Sequence, residues 1–425
     1  MKTTGLSLEQ APPITIPFKF FLTASLFVLA VGLVLAVGAD KVFLTRWSPL
    51  ALGITHLVTL GFLAQVMTGA MIQLLPVLAG SPIPAVVTTS RIIHLMLLGG
   101  TLLLVLDFFF HGDPPLIKTG ATLSVGAIAL FLAAVTVSLI RSGRLHDNAV
   151  SFGMGWLAII PTLAIGIYMV LGLDGRVAIG DVSRLVAVHL SWGLLGWVGT
   201  VLFSTVFQLL PIFYITEELS PGSRDLYVAL VMLLLLLYSL GYLLNIEILE
   251  ISLAVIPGVF LFLSYRLFRS IRSRRRKIVD VTLLFLWSGL AFLLSAALAW
   301  IHGENELLVA VFLLAGVCIT MPIGIIYKVI PFLCWFHLQG LQVKQGRRSS
   351  RLPSMKHYIS DRDARRHYIL HMTAILLMAA ATLMPALFAR LSGLLFSLAS
   401  LYFLRNLLFA LLRYRAQQNA LTVEQ

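Results

Sequence analysis

Three stretches of the chain close an apolar run in the same way: Ile72-Gln73-Leu74-Leu75-Pro76-Val77-Leu78, Phe207-Gln208-Leu209-Leu210-Pro211-Ile212-Phe213 and Tyr327-Lys328-Val329-Ile330-Pro331-Phe332-Leu333. The first two runs also open alike, with His56-Leu-Val-Thr-Leu-Gly and His189-Leu-Ser-Trp-Gly-Leu. The run after each proline carries a weaker echo: Arg91-Ile-Ile-His94, Arg224-Asp-Leu-Tyr227 and Tyr368-Ile-Leu-His371. The expected fold is therefore all-α, with three parallel four-helix repeats over about 15–141, 150–268 and 278–412 and pseudo-threefold symmetry along the membrane normal. Parallel repeats of this kind differ from the inverted repeats of many transporters.

The setting of the repeats is a membrane. Of 425 residues, 59% are hydrophobic and only 12% charged, against roughly 45–50% and 25% in soluble domains. This excludes a soluble enzyme, a secreted disulfide scaffold and a disordered chain. A spanning helix needs about 20 apolar residues. Twelve runs qualify: 16–38, 51–76, 88–110, 118–141, 150–173, 182–213, 225–245, 247–268, 278–301, 305–331, 367–389 and 391–412. Together they read as one transmembrane domain with a basic loop at 338–366. The first run follows a long mixed segment with Pro12 and Pro13, unlike a signal-peptide n-region, and is expected to be retained.

Orientation follows from charge. An even number of spans puts both termini on one side. All but six of the 31 Lys and Arg, the six being Lys41, Arg46, Lys118, Arg176, Arg184 and Arg390, lie on that side. The positive-inside rule makes it cytoplasmic. The basic run Arg274–Lys277 reads as an orientation signal with affinity for the lipid bilayer rather than for nucleic acid.

Intramembrane histidines are the candidate functional groups, because ionisable residues in lipid are costly. His56 and His189 each precede a repeat proline by about six turns, so equal depth is expected. They are read as ligands of haem, which takes bis-histidine ligation, or of copper. Gly193, Gly196 and Thr200 share the His189 face and leave room for a flat macrocycle or a close helix. Arg184 is a candidate haem-propionate partner, and His302, His94 and His371 are weaker metal candidates. His111 with Asp113, and His302 with Glu304 and Glu306, are further loop sets. The competing reading of the intramembrane histidines is a hydrogen bond between helices; for Arg184 it is a headgroup contact, and for the loop sets a solvated loop. Lys328 is expected to snorkel to headgroups or to pair across the pseudo-symmetry axis. Cys318 and Cys334 lie too far apart along one helix for a disulfide. The P-loop, Rossmann, Gly-x-Ser-x-Gly, Cys-x-x-Cys-His and HExxH motifs are missing from the sequence, which argues against a nucleotide-driven pump or a hydrolase.

Twelve spans in three parallel arcs, with histidines on the second and sixth, resemble the haem-copper oxidase subunit I superfamily, and in architecture the NnrS family. The resemblance implies His56 at the low-spin haem position and His189 at the copper position. The His-His pair of helix seven is absent, and helix ten offers Cys318 and Met321 in place of His-x-His. What the resemblance implies is thus a bacterial inner-membrane protein with haem b, copper or both. Its role would be redox, nitric-oxide-related or respiratory and accessory, with a redox partner or respiratory-complex subunit, and without oxygen reduction. A cofactor-free transporter or assembly factor is the alternative.

Overall fold

The computed structural model describes residues 12–110, 114–142, 149–173, 175–303, 305–345 and 352–423, and every regular element among them is helical. Twelve long helical segments carry the described chain: α1 (Thr15–Phe43), α2 (Pro49–Pro76), α3 (Val86–Phe110), α4 (Pro115–Arg141), α5 (Val150–Leu173), α6 (Val182–Tyr214), α7 (Pro221–Leu244), α8 (Glu247–Ser273), α9 (Val281–Ile301), α10 (Glu306–Lys344), α11 (Asp361–Ala381) and α12 (Pro385–Val423). All but α11 are long and apolar enough to cross a bilayer. The protein is a multi-pass helical membrane protein. Helices suit that solvent because lipid offers no partner to an exposed backbone N–H or C=O.

Local chemistry sets the helix starts. Ser48, Asp181, Ser220, Asp280, Asn305 and Ser360 each accept a backbone N–H of the first turn, satisfying groups that helix geometry leaves open. Pro49 and Pro221 stand at first helical positions, where a missing N–H costs nothing.

Two expectations need correction. The run at 367–389 is displaced: α11 starts at Asp361, and its first turns carry Asp361, Arg362, Asp363, Arg365 and Arg366. It stops at Ala381 because Pro385 opens α12. The basic loop at 338–366 is also largely helical where described, since α10 runs on to Lys344 and Met355–Tyr358 forms a turn. Pro76, Pro211 and Pro331 all lie inside continuous helix.

The chain forms two compact units. One contains α1–α3 and α9–α12, the other α4–α8. In the first unit α1 and α12 meet backbone to backbone. A Cβ on Gly32 would lie 2.6 Å from Ser397 N, and one on Gly393 would lie 2.7 Å from Ala36 Cα. Ala389, Gly393 and Ser397 recur every fourth residue on α12, the small-residue stripe that lets helices approach closely in lipid. The opposite face of α12 exposes Leu387, Leu391, Leu394, Leu398 and Leu401. That three-and-four spacing puts one apolar stripe outward along the helix, a surface for acyl chains. In the second unit Leu226, Leu230, Leu233, Leu240 and Leu243 do the same along α7.

Gly393→Leu is expected to destabilise the first unit by about 1–3 kcal/mol, the usual cost of overpacking, seen as a lowered thermal midpoint in detergent. Gly258→Leu is the control, since nothing lies within 4 Å of its missing Cβ.

Candidate functional site

Three of the long helices contain a π-helical stretch: Leu57–Ala64 in α2, Ser191–Gly199 in α6 and Val311–Ile319 in α10. Each ends twelve residues before its proline, Ala64 before Pro76, Gly199 before Pro211 and Ile319 before Pro331. Wide turns of this kind disturb the regular ladder and occur often at functional sites. Threonine hydroxyls mend two of them: Thr320 donates to Ala315 O at 2.8 Å, and Thr200 donates to Gly196 O.

His56 immediately precedes the first π stretch, and His189 stands two residues before the second. His56 Nδ1 lies 2.8 Å from Leu52 O, and His189 Nδ1 lies 3.0 Å from Thr162 O. A carbonyl oxygen only accepts, so Nδ1 is the protonated nitrogen in both rings. In the neutral imidazole the lone pair is then on Nε2, the tautomer that ligates through Nε2. The His56 ring is tilted 35° against Phe108 at 5.0 Å. His56 belongs to the first unit and His189 to the second.

The other predicted residues have local partners. Arg184 pairs with Glu250, reaches Asn245 Oδ1 at 3.3 Å and lies over the Tyr242 ring at 5.3 Å, so its charge is already engaged. The His189 face is filled by close helices: a Cβ on Gly193 would be 3.3 Å from Thr162 Cγ2, and one on Gly196 would be 3.3 Å from Ala158 Cβ. His302 is exposed at the end of α9. His94 Nε2 is 2.8 Å from Thr23 Oγ1, and its ring meets Phe20 edge-on at 5.1 Å. Lys328 pairs with Asp280 at 2.6 Å. Cys318 and Cys334 are buried free thiols. His111, Asp113 and Glu304 lie outside the described residues.

A buried polar network sits in the first unit, and the sequence pointed to only one of its members, His371. Asn406 Oδ1 accepts from Arg405 at 3.4 Å, which fixes the amide, and Asn406 Nδ2 donates to the Tyr327 hydroxyl at 3.0 Å. The phenol proton then goes to His367 Nδ1, 2.9 Å away, and His367 carries its own N–H on Nε2. That atom is buried without a hydrogen-bond partner. Next on the same face, His371 donates from Nε2 to Thr320 Oγ1 at 3.1 Å, because the threonine proton is committed to Ala315. Phe403 stacks on His367 at 5.4 Å and Phe396 lies 5.6 Å from His371. Aromatic rings fill the surroundings of the pair, so its work is to bind α10, α11 and α12 together. His367 was passed over because the expected span began at that residue; in α11 it lies almost two turns inside.

Gln65, the first residue after the first π stretch, was also missed. It is fully buried and neither amide atom has a partner; Thr68 Oγ1, one turn on, is in the same state. Nothing in a Leu-rich run marks such a residue beforehand.

At the charged start of α11, outside the eleven spans, Asp363 anchors the network. It accepts from Ser360 at 2.7 Å, Tyr402 at 2.9 Å and Arg405 at 3.5 Å. The Ser360 hydroxyl foremost, then Tyr402 and Arg405, hold its carboxyl below the ordinary value of 3.8, against partial burial.

Among the described residues no three His, Cys, Asp or Glu side chains gather closely enough to hold a metal ion. No protein-family model and no curated protein matches the chain.

Tyr327→Phe strands Asn406 Nδ2 and His367 Nδ1 and is expected to cost about 1–3 kcal/mol, the usual penalty for an orphaned buried group, read as a lower melting midpoint. Asp363 has a lower pKa folded than unfolded, so its stabilisation is complete above 3.8 and fades as pH falls through the depressed folded value. Between about pH 5 and pH 2 the melting midpoint of Asp363→Asn should therefore fall less than that of the wild type.

Proposed function

We propose that the protein is a membrane protein that binds haem, copper or both through intramembrane histidines, chiefly His56 and His189. Its role is redox, nitric-oxide-related or respiratory and accessory, without oxygen reduction. The observation that carries this reading is the shared tautomer. Both rings are oriented by a backbone carbonyl on Nδ1, both leave the lone pair on Nε2, and both stand at the mouth of a π-helical stretch. A bound haem would supply one-electron chemistry and an iron able to take a small ligand. Since no described group of three ligands exists, haem, which needs only one or two axial imidazoles, fits this donor set better than copper.

The scaffold is part of the same proposal: three parallel four-helix arcs like those of haem-copper oxidase subunit I, in a bacterial inner membrane with both termini cytoplasmic. The matched π stretches support the threefold repeat, and the one-sided distribution of Lys and Arg supports the orientation. One observation favours the second reading, a cofactor-free transporter or assembly factor: the small-residue face at His189 is closed by Thr162 and Ala158.

Visible spectra of the oxidised and dithionite-reduced protein, purified after expression with haem supplied, test the proposal beside metal analysis. The expected result is a Soret band with reduced α and β bands, weakened at least tenfold in His56→Ala or His189→Ala protein that elutes as a single folded species. A colourless, metal-free wild type would overturn the proposal and leave the cofactor-free reading.

A further inference from the structure

The last turns of α8 carry an exposed stripe in which aromatic rings give way to arginines. Phe262, Tyr265 and Phe268 are exposed, and Arg269 and Arg272 follow on the same face at three- and four-residue spacing. From Glu247, where α8 begins, to Phe268 the helix rises about 30 Å, roughly the thickness of a hydrocarbon layer. The rings therefore close the acyl-chain zone, and the two guanidiniums stand at headgroup level. We propose that Arg269 and Arg272 together bind the phosphate of one anionic phospholipid, whose acyl chains lie along the aromatic stripe.

An orientation signal needs charge alone, whereas this pair also has shape. Arg269 lies over the Tyr265 ring at 5.9 Å, and Arg272 over the Phe268 ring at 5.9 Å. Each ring is four residues nearer the hydrocarbon, so both guanidiniums fold back toward the bilayer and rest on a ring face. A guanidinium held this way keeps its N–H edge open, and that edge matches two phosphate oxygens at once. Three residues apart on one helix, the two groups are neighbours and can share one phosphate. No described carboxylate forms an ion pair with either arginine. Ser270 meets the α6–α7 connection at Glu217 O, 3.4 Å away, but Glu217 and Glu218 are exposed and pair with neither guanidinium. Lys277 Nζ donates to Arg272 O at 3.4 Å and brings a third cation beside the pair. The apolar part of the stripe suits the rest of a lipid. One leaflet, about 15 Å deep, takes the face from Phe268 back to Gly258. Nothing lies within 4 Å of the missing Cβ there, so the face offers an acyl chain a notch below Phe262.

The test is native mass spectrometry of the full-length protein in detergent, titrated with phosphatidylglycerol or with phosphatidylcholine. The wild type should retain one phosphatidylglycerol in clear preference to phosphatidylcholine. The pair Arg269→Gln and Arg272→Gln should bind it about tenfold more weakly. The pair Arg275→Gln and Arg276→Gln removes the same charge beyond the end of the helix and should weaken binding less than about threefold. Arg269→Lys with Arg272→Lys keeps the charge without the fork and should fall between the wild type and the first glutamine pair. All four arginines are exposed, so each variant should elute as a single folded species. Equal weakening in the two glutamine pairs, or a wild type that takes both lipids alike, would overturn the proposal and leave only diffuse attraction. Inorganic phosphate that displaces the lipid from the wild type at equal concentration would also overturn it, because the site would then serve a free anion. None of these residues enters the haem or copper reading, so the two proposals stand or fall separately.

Discussion

The contact on which the first unit depends is the backbone approach of α1 to α12. Lipid supplies no hydrophobic force between helices, so association rests on how closely two surfaces fit. Gly32 and Gly393 remove the side chains that would hold these helices apart, and Ser397, Ala36 and Ala389 keep the seam narrow. Once α12 is seated, its other inward residues have fixed addresses. Asn406 meets Tyr327 of α10, Tyr402 meets Asp363 of α11, and Phe403 covers His367. A polar network in a membrane interior is tolerable only when nearly every member is satisfied, and here α12 supplies the partners of Tyr327 and Asp363 while α10 and α11 pair with each other.

The π stretches lie beside the candidate ligands. A widened turn redirects side chains and loosens local carbonyls, and the protein answers with threonine hydroxyls at Thr200 and Thr320. Gln65 occupies the corresponding place in α2. Its amide is longer than a threonine hydroxyl and finds no partner. His56 and His189 stand just before such turns, oriented from Nδ1 by backbone carbonyls. A backbone anchor holds each imidazole without a second side chain, so both rings are oriented although almost no carboxylate lies within the spans.

Arg184 and Arg224, both in the second unit, show what polar groups do in an apolar bundle. Arg184, at the start of α6, is matched by Glu250 and Asn245. Arg224, at the start of α7, lies against a cavity with hydroxyls and rings. One reads as a fastening within the unit, the other as a wall of a small chamber. In sequence both are single basic residues near the end of a span.

What the sequence determined by itself was the environment and the elements. Low charge and long apolar runs required membrane helices, and capping residues with proline set most of their starts. The repeated prolines lie twelve residues beyond π stretches that only the structure revealed. Only the tertiary structure decided which polar residues matter to one another. Residues such as Tyr327, His367 and Asn406 come from three successive helices, 40 and 79 residues apart from Tyr327 in the chain, and no local pattern encodes their meeting. The same holds for Arg184, whose partner lies on another helix, and for Gly193, whose open face was filled by α5. Periodicity is a property of one helix, whereas hydrogen-bond satisfaction is a property of several packed together, so the first can be read along the chain and the second only in space.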